Sequence, residues 1–268
     1  MKFFLFLLCC FVNLCLHAQK IYLNTFIGAT NYKGDLQNKI FVLKQAKIAV
    51  GAGLSYELTD KIIIRSQLTF AYVTADDKLN SKINAGRNLN FTSKIYEGHV
   101  AAEYYFQNLY QYSITPYAFA GLAIYHFNPT TKDSAGTKYY LAGLNTEGQG
   151  FYKDRKPYNL FQISIPFGGG IRYAVNENIH IGLELGMRKL FTDYLDDVST
   201  TYVDRNLLLN NRGAKAVELA FRGNGTYPPD GSQRGSSKHK DWYYFMGITS
   251  SFKIFEIHGE KKPKMISY

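Results

Sequence analysis

The chain has 268 residues, a net charge of +10 and 16% aromatic residues, with 22 Tyr and 19 Phe against one Trp. Its three cysteines, Cys9, Cys10 and Cys15, all fall in the first segment, which excludes a disulfide framework for the remainder. The basic balance admits three readings, nucleic acid, anionic lipid or a merely solvated surface; export, argued next, excludes nucleic acid.

Residues 1–18 read as a secretory signal peptide. Met1 and Lys2 form a minimal positive region, Phe3 to Leu16 is an apolar run broken mainly by Asn13, and Leu16, His17 and Ala18 offer a cleavage site before Gln19. The run is short for a retained membrane anchor. A lipid-anchored reading needs a small residue before the modified Cys, and Leu8, Cys9 and Leu14 precede the three candidates. Removing Lys2 with the signal leaves a charge of +9 on residues 19–268, which carry no thiol.

Beyond the signal, alternation of period two recurs in place of any transmembrane-helix pattern. In chain order the predicted strands are 20–30, 48–57, 62–73, 91–107, 115–127, 161–173, 179–188 and 241–255. The clearest is 179–188: Ile179, Ile181, Leu183, Leu185 and Met187 share one face, and His180, Gly182, Glu184, Gly186 and Arg188 the other. Ile48 to Glu57, Ile62 to Val73 and Phe161 to Tyr173 divide in the same way; 20–30 and 115–127 alternate less cleanly. A mean hydropathy of −0.21 fits this, because averaging along a strand cancels its two faces. The connections supply a second signal. Thr59-Asp60, Asn108 to Ser113 and Asn176 to Asn178 are short turns, and they alternate strictly with long polar segments at 31–44, 74–90, 128–159 and 195–240. This is the pattern of an all-β, eight-stranded antiparallel transmembrane β-barrel of the OmpA/OmpX-like kind, with short periplasmic turns, long extracellular loops and both termini periplasmic. The aromatic content suits two interfacial girdles. One barrel domain is expected over 19–268, with a short helix at Gly213 to Arg222 lying on the barrel mouth and a periplasmic tail from about 256.

The predicted inward face collects Glu57, Arg65, Glu97, His99, Glu103, Arg172, Glu184 and Arg188. The interior of an eight-stranded barrel is just wide enough for side chains to fill, so these groups must pair or hydrogen-bond. An internal ion-pair plug is the plain reading and a gated ion path the sharper one. Glycines 168–170 and the pair Gly51 and Gly53 lie within strands with no helix following, so they relieve crowding and are not a phosphate loop. His126, near the loop end of its strand, is the one histidine placed for a lipid-modifying chemistry, but no Ser and carboxylate accompany it, and the chain is not read as an enzyme. Asp193, Asp196, Asp197 and Asp204 match no cation-loop spacing and suit turn formation and capping better than metal binding. No cofactor is expected.

Met187 to Asp204, MRKLFTDYLDDVSTTYVD, resembles the hallmark strand-to-loop segment of the PorG-like outer-membrane barrels associated with type IX secretion. FIGATNYKGDL from Phe26 to Leu36 and ITPYAFAGLAIYHFNP from Ile114 to Pro129 are similar to the family's first and central strands. The loop residues that carry the resemblance are Asp193, Tyr194, Asp196, Asp197, Thr201, Tyr202 and Asp204. It implies an outer-membrane component that links the secretion machinery's periplasmic ring to the membrane, with ring proteins and outer-membrane lipids, lipopolysaccharide included, as partners. A surface-binding barrel whose loops contact ligand or host, and a lipid A-modifying barrel, are the alternatives.

Overall fold

The computed structural model describes residues 19–80 and 86–257. The signal segment 1–18 and the tail beyond 257 lie outside the described residues. Among the described residues nine strands form: β1 (Gln19–Lys33), β2 (Lys47–Thr59), β3 (Ile62–Asp76), β4 (Asn90–Tyr105), β5 (Ile114–Lys132), β6 (Lys138–Tyr140), β7 (Phe161–Ala174), β8 (Ile179–Leu190) and β9 (Trp242–Ile257). Eight of them close a barrel. Each pairs antiparallel with its chain neighbour, β5 pairs with β7, and β9 returns to β1 from Gln19↔Ile257 to Lys33↔Trp242. The three-residue β6 only extends one end of β5.

The alternation read in the sequence is the alternation of burial. On β8, His180, Glu184 and Arg188 are buried whereas Ile181, Leu183 and Leu185 are exposed. Leu68, Leu122 and Leu183 are 74%, 67% and 64% exposed at mid-strand, and Val100, Ile124, Ile163 and Ile248 continue the same belt. At roughly 25 cal/mol per Å² of apolar surface, a belt of this kind facing water would oppose folding; facing hydrocarbon it carries no such cost. The outer face is therefore a lipid-facing surface, and closure pairs each of the eight barrel strands on both sides.

Connections at one end are short because side chains complete them. Thr59 Oγ1 accepts from the backbone N–H groups of Lys61 (3.2 Å) and Ile62 (3.0 Å). Asn176 Oδ1 does the same for Asn178 (2.8 Å) and Ile179 (2.9 Å), the short-range chemistry that favours these residues in turns. The long connections gather at the other end, where they are largely folded. β5 runs on to Lys132, so residues 128–132 are strand and not loop; conversely β4 stops at Tyr105, and the Phe106 N–H turns to the Pro116 carbonyl at 3.1 Å. β6 and a four-residue helix, α1 (Leu141–Leu144), follow within the expected 128–159 loop. A helix that was not expected, α2 (Arg205–Arg212), precedes the one expected at 213–222, which is α3 (Ala214–Ala220). Gly213 breaks them with φ +82°, a conformation that favours glycine, and Asp204 caps α2 by accepting from the Leu207 N–H at 2.8 Å.

Candidate functional site

Within the barrel, the alternation aims three arginines and three glutamates at one another. Arg65 of β3 meets Glu184 of β8 through two contacts (2.6 and 3.2 Å) and Glu103 of β4 at 3.0 Å. Glu103 also receives Arg172 at 3.4 Å and the Tyr105 hydroxyl at 2.6 Å, and Glu184 receives the Tyr117 hydroxyl at 2.7 Å. The Arg172 guanidinium lies 5.3 and 5.1 Å from the ring centres of Tyr105 and Tyr117. Nearer the loop end, Glu97 accepts from Arg188 Nη2 (2.9 Å) and contacts His99 Nδ1 (3.0 Å), and Tyr243 donates to its other oxygen. Arg65, Arg172 and Arg188 are all at most 2% exposed. Glu57 lies toward the turn end, where it accepts from Tyr110 at 2.8 Å and Tyr22 at 3.5 Å. Burying ionised groups is tolerable here because each is matched by an opposite charge or a hydroxyl donor. Above the Glu97 layer, rings of Tyr32, Phe91, Tyr125, Phe127, Tyr243 and Phe245 pack into one apolar cluster with Leu195 and Val198 of the loop.

The loop end carries a second constellation, a cap centred on Glu147. Although fully buried, this carboxylate accepts from the backbone N–H of Ser199 (2.9 Å) and of Thr200 (3.0 Å), the Thr200 hydroxyl (2.6 Å) and Arg234 Nη1 (2.9 Å). Arg234 also donates to the Asp197 carbonyl at 2.6 Å and the Ala220 carbonyl at 3.2 Å, joining three loop segments through one side chain. Asp197, in the left-handed region at φ 68°, accepts from the Thr146 hydroxyl at 2.6 Å and the Tyr158 hydroxyl at 2.7 Å. Asp196 accepts from Tyr32 of β1 at 2.5 Å and from the Val198 N–H at 2.9 Å. Tyr194 stacks on Tyr158 with ring centres 4.7 Å apart. Arg155 reaches the Thr201 carbonyl (2.8 Å) and hydroxyl (2.6 Å). Tyr202 is buried between Phe221 and Tyr227. The resembling segment is thus the interior of the cap, with Asp193, Asp196 and Asp197 all buried. Asp196, Asp197 and Asp204 go to different partners, and among the described residues no group of His, Cys, Asp and Glu is disposed to hold a metal ion.

Sequence reasoning missed Glu147, Arg234, Tyr158 and Asp241, which accepts from the Leu195 N–H at 2.9 Å and from Tyr32 at 3.1 Å. The Asp204 cap three residues before Leu207 was the one local signal for α2. His126 faces outward between the rings of Tyr96 and Phe161, at 6.3 and 4.7 Å, and takes part in no hydrogen bond among the described residues, so no nucleophile–base pair forms on it. A cleft of about 580 Å³ opens between the loops, with Arg87, Tyr202, Phe221 and Pro229 among its walls.

The cap stores carboxylates against their preference. Burial pushes Asp193 up to about 7, with Asp35 and Glu147 adding to the shift and the Ser199 hydroxyl and Lys240 opposing it. Burial likewise raises Asp197 to about 6 despite the opposing Arg234, and raises Asp196 and Asp241. The ordinary value is 3.8. Between that value and about 7, an opened cap therefore releases protons that the closed cap retains, so closure weakens as pH rises through this window and is fully favoured below it. Protease cleavage within 191–241 is expected to be slower at the acidic end of the window than above it. Asp193→Asn should flatten that dependence; an unchanged pH profile in this variant would show that Asp193 does not govern it.

A closed eight-stranded barrel with an aliphatic outer belt, an ion-paired interior and a folded cap over one mouth defines a membrane-spanning β-barrel protein. The chain belongs to the DUF6089 family, described as a domain of unknown function, whose model matches residues 1–211. That match takes in β1 to β8 and most of α2. No curated protein matches the chain. Among solved structures, Neisserial surface protein A is 10% identical over 89% of this chain and 99% of its own, with a TM-score of 0.45. Ail, the attachment invasion locus protein of Yersinia pestis, is 8% identical over 89% and 100%, with a TM-score of 0.43. A major outer membrane protein from Thermus thermophilus is 13% identical over 89% and 100%, with a TM-score of 0.37. At these identities and scores the likenesses say nothing about function. The family that is shown is DUF6089, and no comparison reaches PorG or type IX secretion.

Proposed function

We propose that the chain is an outer-membrane β-barrel with a structural or accessory role, its turn end and both termini periplasmic and its cap extracellular. The observation that carries this reading is the filled interior: three buried arginines locked to three buried glutamates, with an aromatic cluster and a folded cap above them. A barrel built to pass solutes would need that volume free. The segregation of short turns and long loops supports the orientation. Purified protein in a planar bilayer is expected to give no stable conductance; large, reproducible channels would overturn the reading.

The finer reading is an accessory of type IX secretion that joins a periplasmic ring to the membrane, supported by the Met187 to Asp204 sequence. Since that segment forms the inside of the cap, a ring contact falls instead to the turn end, where Lys61 and Asn176 to Asn178 are accessible. Co-purification with periplasmic ring proteins, lost when the 175–178 turn is rewritten, is the expected result; normal cargo export in a deletion strain would remove the secretion role. The cleft beside Arg87 and Tyr202 favours a second reading, a surface barrel that takes a ligand between its loops.

A further inference from the structure

The register of β3, β4, β5 and β7 sorts the outer face into layers by depth. At mid-barrel, Leu68, Gly98, Ile124 and Ile163 form one row across the four strands. The next row toward the loop end is aromatic: Phe70, Tyr96, His126 and Phe161. Its rings touch in sequence, with centres at 5.1, 6.3 and 4.7 Å. The row beyond that is Tyr72, Lys94 and Asn128, and the last is Thr74, Thr92, Thr130 and Tyr140. Aliphatic, aromatic, cationic and hydroxyl-bearing rows in this order reproduce the profile of a membrane from hydrocarbon through interface to headgroups.

At the cationic row the surface is indented. A cavity of about 250 Å³ is lined by Tyr72, Lys94, Asn128, Lys138 and Tyr140, with Tyr96 and His126 of the aromatic row on its inner side. No Asp or Glu lines it. Lys94 rests 5.9 Å from the Tyr72 ring centre and Lys138 5.0 Å from that of Tyr140, and neither makes an ion pair with a carboxylate among the described residues. β6, which the barrel does not need for closure, is the strand that delivers Lys138 and Tyr140 to this rim.

We infer that this indentation is a binding site for the phosphate of a phosphorylated lipid headgroup in the leaflet at the loop end. Two lysines line one cavity on the loop side of the aromatic row, with hydroxyl and amide groups between them, and the aromatic side chains at its edge meet the lipid's apolar portion. The inference rests on reading the chain as an outer-membrane barrel, and it is independent of any secretion role.

The test uses the full chain folded in detergent micelles and titrated with bis-phosphorylated lipid A or the same lipid chemically dephosphorylated, read by native mass spectrometry. The wild type is expected to bind the phosphorylated form about tenfold or more tightly, since each lysine at a membrane surface contributes on the order of one tenfold step or somewhat less. K94Q with K138Q should abolish the preference, while K44Q with K61Q, which removes the same charge elsewhere, should keep it. Heat-modifiable gel mobility shows that each variant is folded. Equal binding of the two lipids by the wild type, or equal loss in both double variants, would overturn the site. Displacement of bound lipid A by inorganic phosphate alone would also overturn it, as a free-anion site.

Discussion

Glu97→Ala is expected to cost about 3–5 kcal/mol of folding stability, the usual result of removing one partner from a buried ion pair. Glu97 is 2% exposed and is the acceptor for Arg188, His99 and Tyr243 together. Without it the Arg188 guanidinium, itself 1% exposed, retains the Phe245 ring face at 4.3 Å but loses the carboxylate that neutralises it. Removing both charges is a different experiment. Glu97→Ala with Arg188→Met leaves no orphaned ion, and it should recover most of the loss because an apolar replacement for a buried pair is often neutral. Urea midpoints in a defined lipid, with heat-modifiable mobility as the fold marker, separate the cases. A single variant within about 1 kcal/mol of wild type would mean that water reaches this layer and screens it.

The second large effect concerns the other face of the same strand. Leu183 is 64% exposed in the middle of the belt, beside Ile171 and Ile248 in the register. Leu183→Arg is expected to cost about 2–4 kcal/mol in a bilayer, whereas Phe191→Arg, just past the loop end of β8, should cost about 0–1 kcal/mol. Both positions are exposed and apolar, so a soluble protein would tolerate the two alike; only depth in a membrane distinguishes them. Equal tolerance in refolding titrations would remove the lipid belt from this surface.

Eight strands and their facing were legible because a half-buried strand must alternate, and β8 and β3 do so without interruption. The eight lumen candidates followed from the same parity, and the structure places them all inward. Parity assigns a face but not a partner: it does not report the two phenols that reach Glu57 from β1 and from the 106–113 turn. Strand ends were less legible, since residues 128–132 look polar and loop-like while pairing regularly with β4 and β6. In the cap, Asp193 to Asp204 stood out for its density of short polar side chains. The residues that hold it, Glu147, Arg234, Tyr158 and Asp241, come from elsewhere in the chain, 52 positions away for Ser199 and Glu147 and 37 for Asp197 and Arg234. No local spacing rule reports a partner that only the closed barrel brings near.

Those separations also set an order of events. Tyr32 meets Asp241 across 209 positions and Ser236 meets Asp35 across 201. Drawing the ends of a flexible segment of that length together costs about 5 kcal/mol of chain entropy, far more than one hydrogen bond returns. Pairing of β1 with β9 removes that cost, because it already sets Tyr32 beside Tyr243. The cap must then knit only after the first and last strands have zipped, so a chain arrested with an open seam would leave 191–241 open to cleavage. The moment at which this stretch becomes protease-resistant is a clock for the completion of insertion.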